Sequence, residues 1–282
     1  MSVAGGLHRA FEAAAKAGCD CLQIFVKNQR QWAAKRLDDE AVRAFRQAQE
    51  NSGIGPIVAH ASYLINLASP GDALREKSIG ALQDELDRCE ALGVFALVVH
   101  PGAHMGDGVE SGIRRIAASI DEVHDRTRGN SARIALETTA GQGSSLGHEI
   151  RQLGEVVGAV AAPERLSICL DTCHLFAAGY DLRHADDYER MMSELGQFVG
   201  LERVCCIHTN DSKGECGSRL DRHEHITEGK IGKEGFHRLL NDPRLARVPR
   251  ILETPKGEDG RGRDFDRLNL QRLRSMIEPS RQ

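Results

Sequence analysis

The sequence predicts an α/β protein built as a (β/α)₈ TIM barrel, and three observations carry that reading. Seven short apolar runs rich in Val, Ile and Leu recur along the chain, and each is cut off by a polar residue. These runs lack the polar–apolar alternation of a half-exposed strand, so they read as strands buried on both faces, in a parallel sheet with helices outside. Longer amphipathic stretches separate them without a linker or a composition break, so residues 1–282 are expected to form a single domain.

The opening MSVAGG reads as a βα loop leading into a helix at about 7–17. The strand that should precede this loop has no counterpart, so seven strands are predicted rather than eight. Either the barrel is open at one position or the sequence lacks its natural N-terminus. The runs are CLQIFVKN (21–28), PIVAH (56–60), FALVVH (95–100), RIALE (133–137), LSICLD (166–171), VCCIH (204–208) and PRILE (249–253). Between them the apolar spacing predicts helices at roughly 38–51, 72–92, 110–127, 147–162, 185–199 and 233–240, with a last one near 266–277.

Composition narrows the function classes. The chain is 40% hydrophobic and 28% charged, with a formal net charge of −4. No apolar run approaches the ~18 residues of a membrane span, and no secretory leader is visible, so a cytoplasmic protein without a membrane partner is expected. The net charge does not favour nucleic acid, but local charge and bound metal decide that question. The eight cysteines form no C-x-x-C pair and several sit in apolar runs, so they read as buried thiols.

Six of the seven runs end in a residue able to bind metal: His60, His100, Glu137, Asp171, His208 and Glu253. Each alone has an ordinary explanation as a hydrogen-bonded core residue or a helix cap. In a barrel, however, all strand C-termini meet at one mouth, so these residues should share one cavity. His174 follows Asp171 by three positions, and Asp221 and His223 form a D-x-H in the loop SRLDRHEH. So many carboxylates together would repel one another without cations. Imidazole mixed with carboxylate suits zinc, with manganese or iron as alternatives. Nine candidates exceed one ion's needs, and clustered divalent ions point to phosphodiester chemistry.

The chain resembles the endonuclease IV family of zinc-dependent apurinic/apyrimidinic endonucleases. The resemblance is carried by KNQRQW (27–32), HASYLINLASP (60–70), HPGAH (100–104), LETTAGQGSSLG (136–147), CLDTCHLFAAGYD (169–181), IHTNDSKGECGSRLDRHEHITEGKIG (207–232) and LETPKGEDG (252–260). It implies three zinc ions. His60 and His100 would hold one, with Glu137 bridging to a second that Asp171, His208 and Glu253 complete. His174, Asp221 and His223 would hold the third, and His225 would be left over. It further implies cleavage 5′ to abasic sites in double-stranded DNA by an activated water, which the bridging Glu137 helps to orient, together with trimming of blocked 3′ ends. By the same resemblance Arg30, Tyr63 and Leu64 would wedge into the DNA as the abasic nucleotide flips out. Trp32 is expected to pack rather than stack on a base. Two groups of basic residues, Lys27, Arg30, Lys35 and Arg36, and Lys213, Arg219, Arg222, Lys230 and Lys233, are expected to face the phosphates. The family is usually monomeric.

Two departures stand out. EHIT (224–227) replaces the family's usual residues after Asp221 and His223. The family also begins with a strand ahead of the Ala-Gly-Gly turn, whereas this sequence starts inside that pattern. A misassigned start is favoured over a true truncation, and a truncated chain is expected to keep the site but lose stability. Two rival readings follow: a sugar isomerase- or epimerase-like barrel using one divalent ion, and a protein that binds abasic sites without cutting them.

Overall fold

The computed structural model describes residues 1–279. In chain order its elements are α1 (Arg9–Ala17), β1 (Leu22–Ile24), α2 (Asp39–Ser52), β2 (Ile57–His60), α3 (Asp72–Leu92), β3 (Ala96–Val99), α4 (Val109–Arg126), β4 (Arg133–Glu137), α5 (Ile150–Ala159), β5 (Leu166–Asp171), α6 (Thr172–Ala178), α7 (Ala185–Phe198), β6 (Val204–His208), the short strands β7 (Asp211–Ser212) and β8 (His223–Glu224), α8 (Gly232–Leu240), β9 (Arg250–Ile251) and α9 (Phe265–Ser275). Every strand and helix expected from the sequence is present, with ends that match the expected ones or differ by a few residues. Helix starts follow local chemistry. Asp38 accepts from the Ala41 amide at 2.8 Å at the start of α2, and Asp264 accepts from the Arg267 amide at 3.0 Å at the start of α9.

Seven strands pair in parallel in the order β1-β2-β3-β4-β5-β6-β9. β1 and β9 are the ends of this sheet, so the barrel is open at one position. Across the opening Cys21 Sγ donates to the Arg250 carbonyl at 3.5 Å, and Gln23 Nε2 donates to Glu253 Oε1 at 2.7 Å. Side chains alternate between two packed regions, as a barrel requires. Val58, Ala96, Val98, Ala135, Cys169, Cys206 and Ile251 fill the interior, while Ile57, Leu97, Val99, Ile134, Leu136 and Ile168 face the helices. Small residues dominate the interior because seven strands enclose little space. The β5–β6 ladder pairs Ile168 with Val204 but Cys169 with Cys206, so Cys205 is an extra residue, a bulge.

Three features escaped the sequence pattern. α6 was hidden because its side chains are buried all round, leaving no amphipathic period. β7 and β8 form a two-residue antiparallel pair, too short to show alternation. The expected buried thiols are buried at Cys89, Cys169, Cys173 and Cys206 but only half-buried at Cys19, Cys21, Cys205 and Cys216, and all eight are free. No helix among the described residues is long and apolar enough to cross a membrane.

Candidate metal centre

The strands deliver the predicted side chains to one mouth. His60, Glu137, Asp171 and His208 are the last residues of β2, β4, β5 and β6, while His100 lies one residue beyond β3 and Glu253 two beyond β9. Glu137 sits at the centre, fully buried. Its Oε2 lies 3.1 Å from His60 Nε2 and 3.1 Å from His100 Nε2, while its Oε1 lies 2.9 Å from His208 Nδ1. One carboxylate thus faces two groups of ligand atoms: His60, His100 and Glu137 in one, and Glu137, Asp171, His208 and Glu253 in the other. Asp171, His174 and His223 gather as a third group. Asp221 joins it, 3.2 Å from His174 Nε2 and 3.5 Å from His223 Nε2. All nine predicted residues are therefore contiguous.

Asp171 reconciles the two sequence readings of DTCH. Its Oδ1 caps α6 by accepting the His174 amide at 2.7 Å, and its Oδ2 turns to the mouth, where Asn210 Nδ2 donates to it at 2.7 Å. A helix cap and a candidate ligand are one side chain.

Hydrogen bonds to the far ring nitrogens fix how the imidazoles point, as outer partners do for metal ligands. Nδ1 of His60 donates to the Ala61 carbonyl at 2.7 Å, Nδ1 of His174 to the Thr138 carbonyl at 2.8 Å, and Nδ1 of His223 to the Glu253 carbonyl at 3.2 Å. In all three, Nε2 is the nitrogen aimed at the centre. His208 is reversed: Nε2 donates to Gln23 Oε1 at 2.8 Å, so Nδ1 faces Glu137. Gln23 was missed by the sequence reading, as were Thr138 and Asn210, because amides and hydroxyls are not ligand types. Their only signal was position, on β1 and immediately after Glu137 and shortly after His208.

The donor set fits divalent metal. His223 Nε2 is buried without a hydrogen-bond partner, although Asp221 and Asp171 flank it at 3.5 and 3.7 Å. Burial pushes the Glu137 carboxyl up, but the His208 and His100 imidazoles beside it outweigh that and hold it well below the usual carboxylate range. Burial lowers the affinity of His208 and His174 for a proton. Glu253 and Glu137 around the first, and Asp171 and Asp221 around the second, reverse this and hold both well above the ordinary histidine value. The electrostatic field at these nitrogens calls for positive charge, which a metal cation supplies as well as a proton.

The expected DNA contacts lie on the rim. Arg30 is exposed, Leu64 half-buried, and Tyr63 59% exposed. The Tyr63 ring stands over the centre, its centroid 5.2 Å from that of His60 and 6.2 Å from that of His100. A cleft of about 250 Å³ opens beside it. At Gly102, with φ of +118°, an added Cβ would meet the Asn66 side chain, and that close approach lets Asn66 Oδ1 accept the Ala103 amide at 2.9 Å and the Ala68 amide at 3.1 Å. Trp32 packs under Lys77, as expected, with Nζ 4.6 Å from the ring centroid. His225, the leftover histidine, is buried and stacks on Phe265 at 4.0 Å, with Asn269 at 3.1 Å from its Nδ1.

One expectation is corrected. Lys27 does not face the phosphates. It is buried, 3.4 Å from Glu85 and 3.2 Å from Asp84, because its Nζ also donates to the Trp32 carbonyl under the loop. Glu85 in turn accepts the Ser62 amide at 3.2 Å, so the Lys27–Glu85 pair ties the Arg30 loop to the Tyr63 loop. Arg30, Lys35 and Arg36 remain exposed, while in the second group Lys230 pairs with Glu215 at 2.8 Å.

Comparison with known proteins agrees with this geometry. Residues 11–271 match the family model described as a xylose isomerase-like TIM barrel. "Probable endonuclease 4" of Chloroflexus aurantiacus is 50% identical over 99% of this chain and 96% of its own length. The protein of the same name from Geobacter sulfurreducens is 45% identical over 98% of this chain and 93% of its own length. The crystal structure of endonuclease IV from Thermus thermophilus superposes with a TM-score of 0.86 at 39% identity, covering 98% of this chain and 96% of that one. A D-tagatose 3-epimerase-like protein superposes with a TM-score of 0.74 at 18% identity, a likeness of fold alone.

Proposed function

Because this chain belongs to the endonuclease IV family, we propose that it is a DNA-repair endonuclease that hydrolyses the phosphodiester 5′ to abasic sites in duplex DNA, holding three zinc ions at the barrel mouth. The observation that carries the reading is the chain of nine His, Asp and Glu side chains linked through Glu137, beneath an exposed tyrosine. His60 and His100 with Glu137 Oε2 would hold the first ion. Glu137 Oε1 with Asp171, His208 and Glu253 would hold the second, and His174, Asp221 and His223 the third. Bound together, such ions offset the charge of the phosphate oxygens and make a water acidic enough to ionise near pH ~7.

The protein's own residues do the rest. Gln23, Thr138 and the Glu253 carbonyl hold His208, His174 and His223 in orientation. Glu137 is the catalytic residue, since its two oxygens face the two adjoining ligand groups and would help orient the activated water between them. No side chain acts as a covalent nucleophile. Tyr63, Leu64 and Arg30 fill the gap left by a missing base, and selectivity arises because flipping an abasic nucleotide breaks no base pair. The protein works as a monomer on its DNA partner, and the same centre trims blocked 3′ ends.

The test is a duplex carrying one abasic-site analogue, analysed on a denaturing gel before and after prolonged chelation, with metal analysis. The expected result is a 5′-side nick, lost when metal is stripped and restored by zinc, with about three zinc ions per chain. Binding without cutting by the zinc-loaded protein would make it a damage binder. One manganese or cobalt ion and no DNA affinity would place it among sugar isomerase-like barrels.

A further inference from the structure

Six of the seven barrel strands carry a candidate ligand at or just beyond their ends, and β1, on one side of the opening, carries none. It carries Gln23 instead, a buried side chain engaged at both polar atoms by members of the second ligand group. Oε1 accepts from His208 Nε2 at 2.8 Å, and Nε2 donates to Glu253 Oε1 at 2.7 Å. One orientation of the amide allows both bonds, since a flipped amide would turn its oxygen toward the Glu253 carboxylate. Two assignments follow. His208 carries its proton on Nε2 and presents Nδ1 to the centre. Glu253 presents Oε2, which lies 3.1 Å from that Nδ1. Among the described residues no ladder hydrogen bonds join β1 to β9. Below the mouth, Arg274 Nη2 on α9 donates to the Gly18 carbonyl at 2.6 Å and to Asp20 at 2.7 Å, and Cys21 meets the Arg250 carbonyl. At the mouth the bridge is Gln23.

We propose that Gln23 is a positioning residue that couples metal occupancy to closure of the barrel, by joining β1 to the two side chains His208 and Glu253. The inference rests on the zinc reading given above. His208 and Glu253, once fixed by a shared ion, offer Gln23 a donor and an acceptor at a constant spacing, and one amide satisfies both. When the ion leaves, both side chains regain freedom and the amide loses its fixed partners. β1 is then held at the mouth by its ladder to β2 alone, as the edge of an open sheet. Such an edge opens locally at a lower free energy than the strands paired on both sides. Coupling runs the other way as well, because an amide already seated on β1 sets the His208 tautomer and the Glu253 oxygen that an incoming ion meets. Gln23 thus does at the mouth what ladder hydrogen bonds do between the other strands.

The experiment compares the zinc-loaded and metal-stripped chain, and the same two forms of Gln23→Leu, which keeps similar bulk without the hydrogen bonds. Metal analysis confirms the load in each. Amide hydrogen exchange is read by mass spectrometry over residues 21–26, none of which is a candidate ligand, with α5 as the reference. Stripping the unmutated chain should speed exchange over residues 21–26 by roughly tenfold or more beyond any change in α5. In Gln23→Leu the same residues should exchange fast even when loaded, and stripping should add less than about threefold. Alkylation of Cys21, half-buried beside the opening, should follow the same pattern. Should Gln23→Leu fail to fold, the two forms of the unmutated chain still decide by exchange and alkylation. A chain that takes up zinc yet changes no more at residues 21–26 than in α5, or responds equally in Gln23→Leu, would overturn the coupling and leave the nuclease reading standing. A chain that binds no divalent ion would overturn both.

Discussion

Replacing Lys27 by Met should destabilise the protein by an amount that grows with pH. Lys27 and Glu85 are each about 1% exposed at the side chain and 3.4 Å apart. Removing one partner of such a pair typically costs about 3–5 kcal/mol, because the other charge is left buried. Here the survivor is a carboxylate with an escape, since it can take up a proton. Burial already pushes the Glu85 carboxyl above its ordinary value, against the pull of Lys27 and the Ser62 amide. Without Lys27 it rises further.

A carboxyl whose folded-state pKa exceeds its unfolded value binds more protons in the native state. Its contribution is therefore lost as pH climbs from the unfolded value of about 4.5 through the folded one. Protonation of Glu85 therefore keeps the penalty small near pH 5 and lets it grow toward the full cost of about 3–5 kcal/mol as pH rises to 8. Urea unfolding of both proteins at these pH values, at constant metal, measures the difference. The double variant Lys27→Met/Glu85→Gln, which keeps an acceptor for the Ser62 amide, should flatten the pH dependence. A penalty that is the same at pH 5 and pH 8, to within about 0.5 kcal/mol, would refute the buried-pair account.

Other perturbations test the site and its supports. Gln23→Ala removes the acceptor that orients His208 and should weaken metal affinity or cleavage by about 10–100-fold, read by competition with a chelator. His174→Ala should lower bound metal by about one ion per chain while the barrel still melts cooperatively. Tyr63→Ala should change stability by less than about 0.5 kcal/mol, because the ring is exposed, yet weaken abasic-duplex binding by about 1–3 kcal/mol in a fluorescence titration. Gly102→Ala forces a Cβ against the Asn66 side chain at a positive φ and should cost about 1–3 kcal/mol, seen as a lower urea midpoint. Unchanged metal affinity and cleavage in Gln23→Ala, metal content in His174→Ala, duplex binding in Tyr63→Ala or urea midpoint in Gly102→Ala would mean that the contact named is not the one that matters.

The sequence by itself determined the strand and helix alternation and the identity of the nine clustered residues. Both are written in local patterns: apolar runs record burial, and strand ends record which residues reach the mouth. The helix Thr172–Ala178 was not legible, because a helix buried on all sides carries no period. Only the tertiary structure decided the pairing of functions. It placed Glu137 between two ligand groups, gave Asp171 both a helix to cap and the mouth to face, and made Gln23 the partner of His208 from 185 residues away. It also took Lys27 out of the basic surface and buried it against Glu85, although in sequence it stands among exposed cations. These outcomes depend on which side chains meet across the barrel. That is fixed by strand register and by one bulge at Cys205, and neither leaves a mark in the order of the residues.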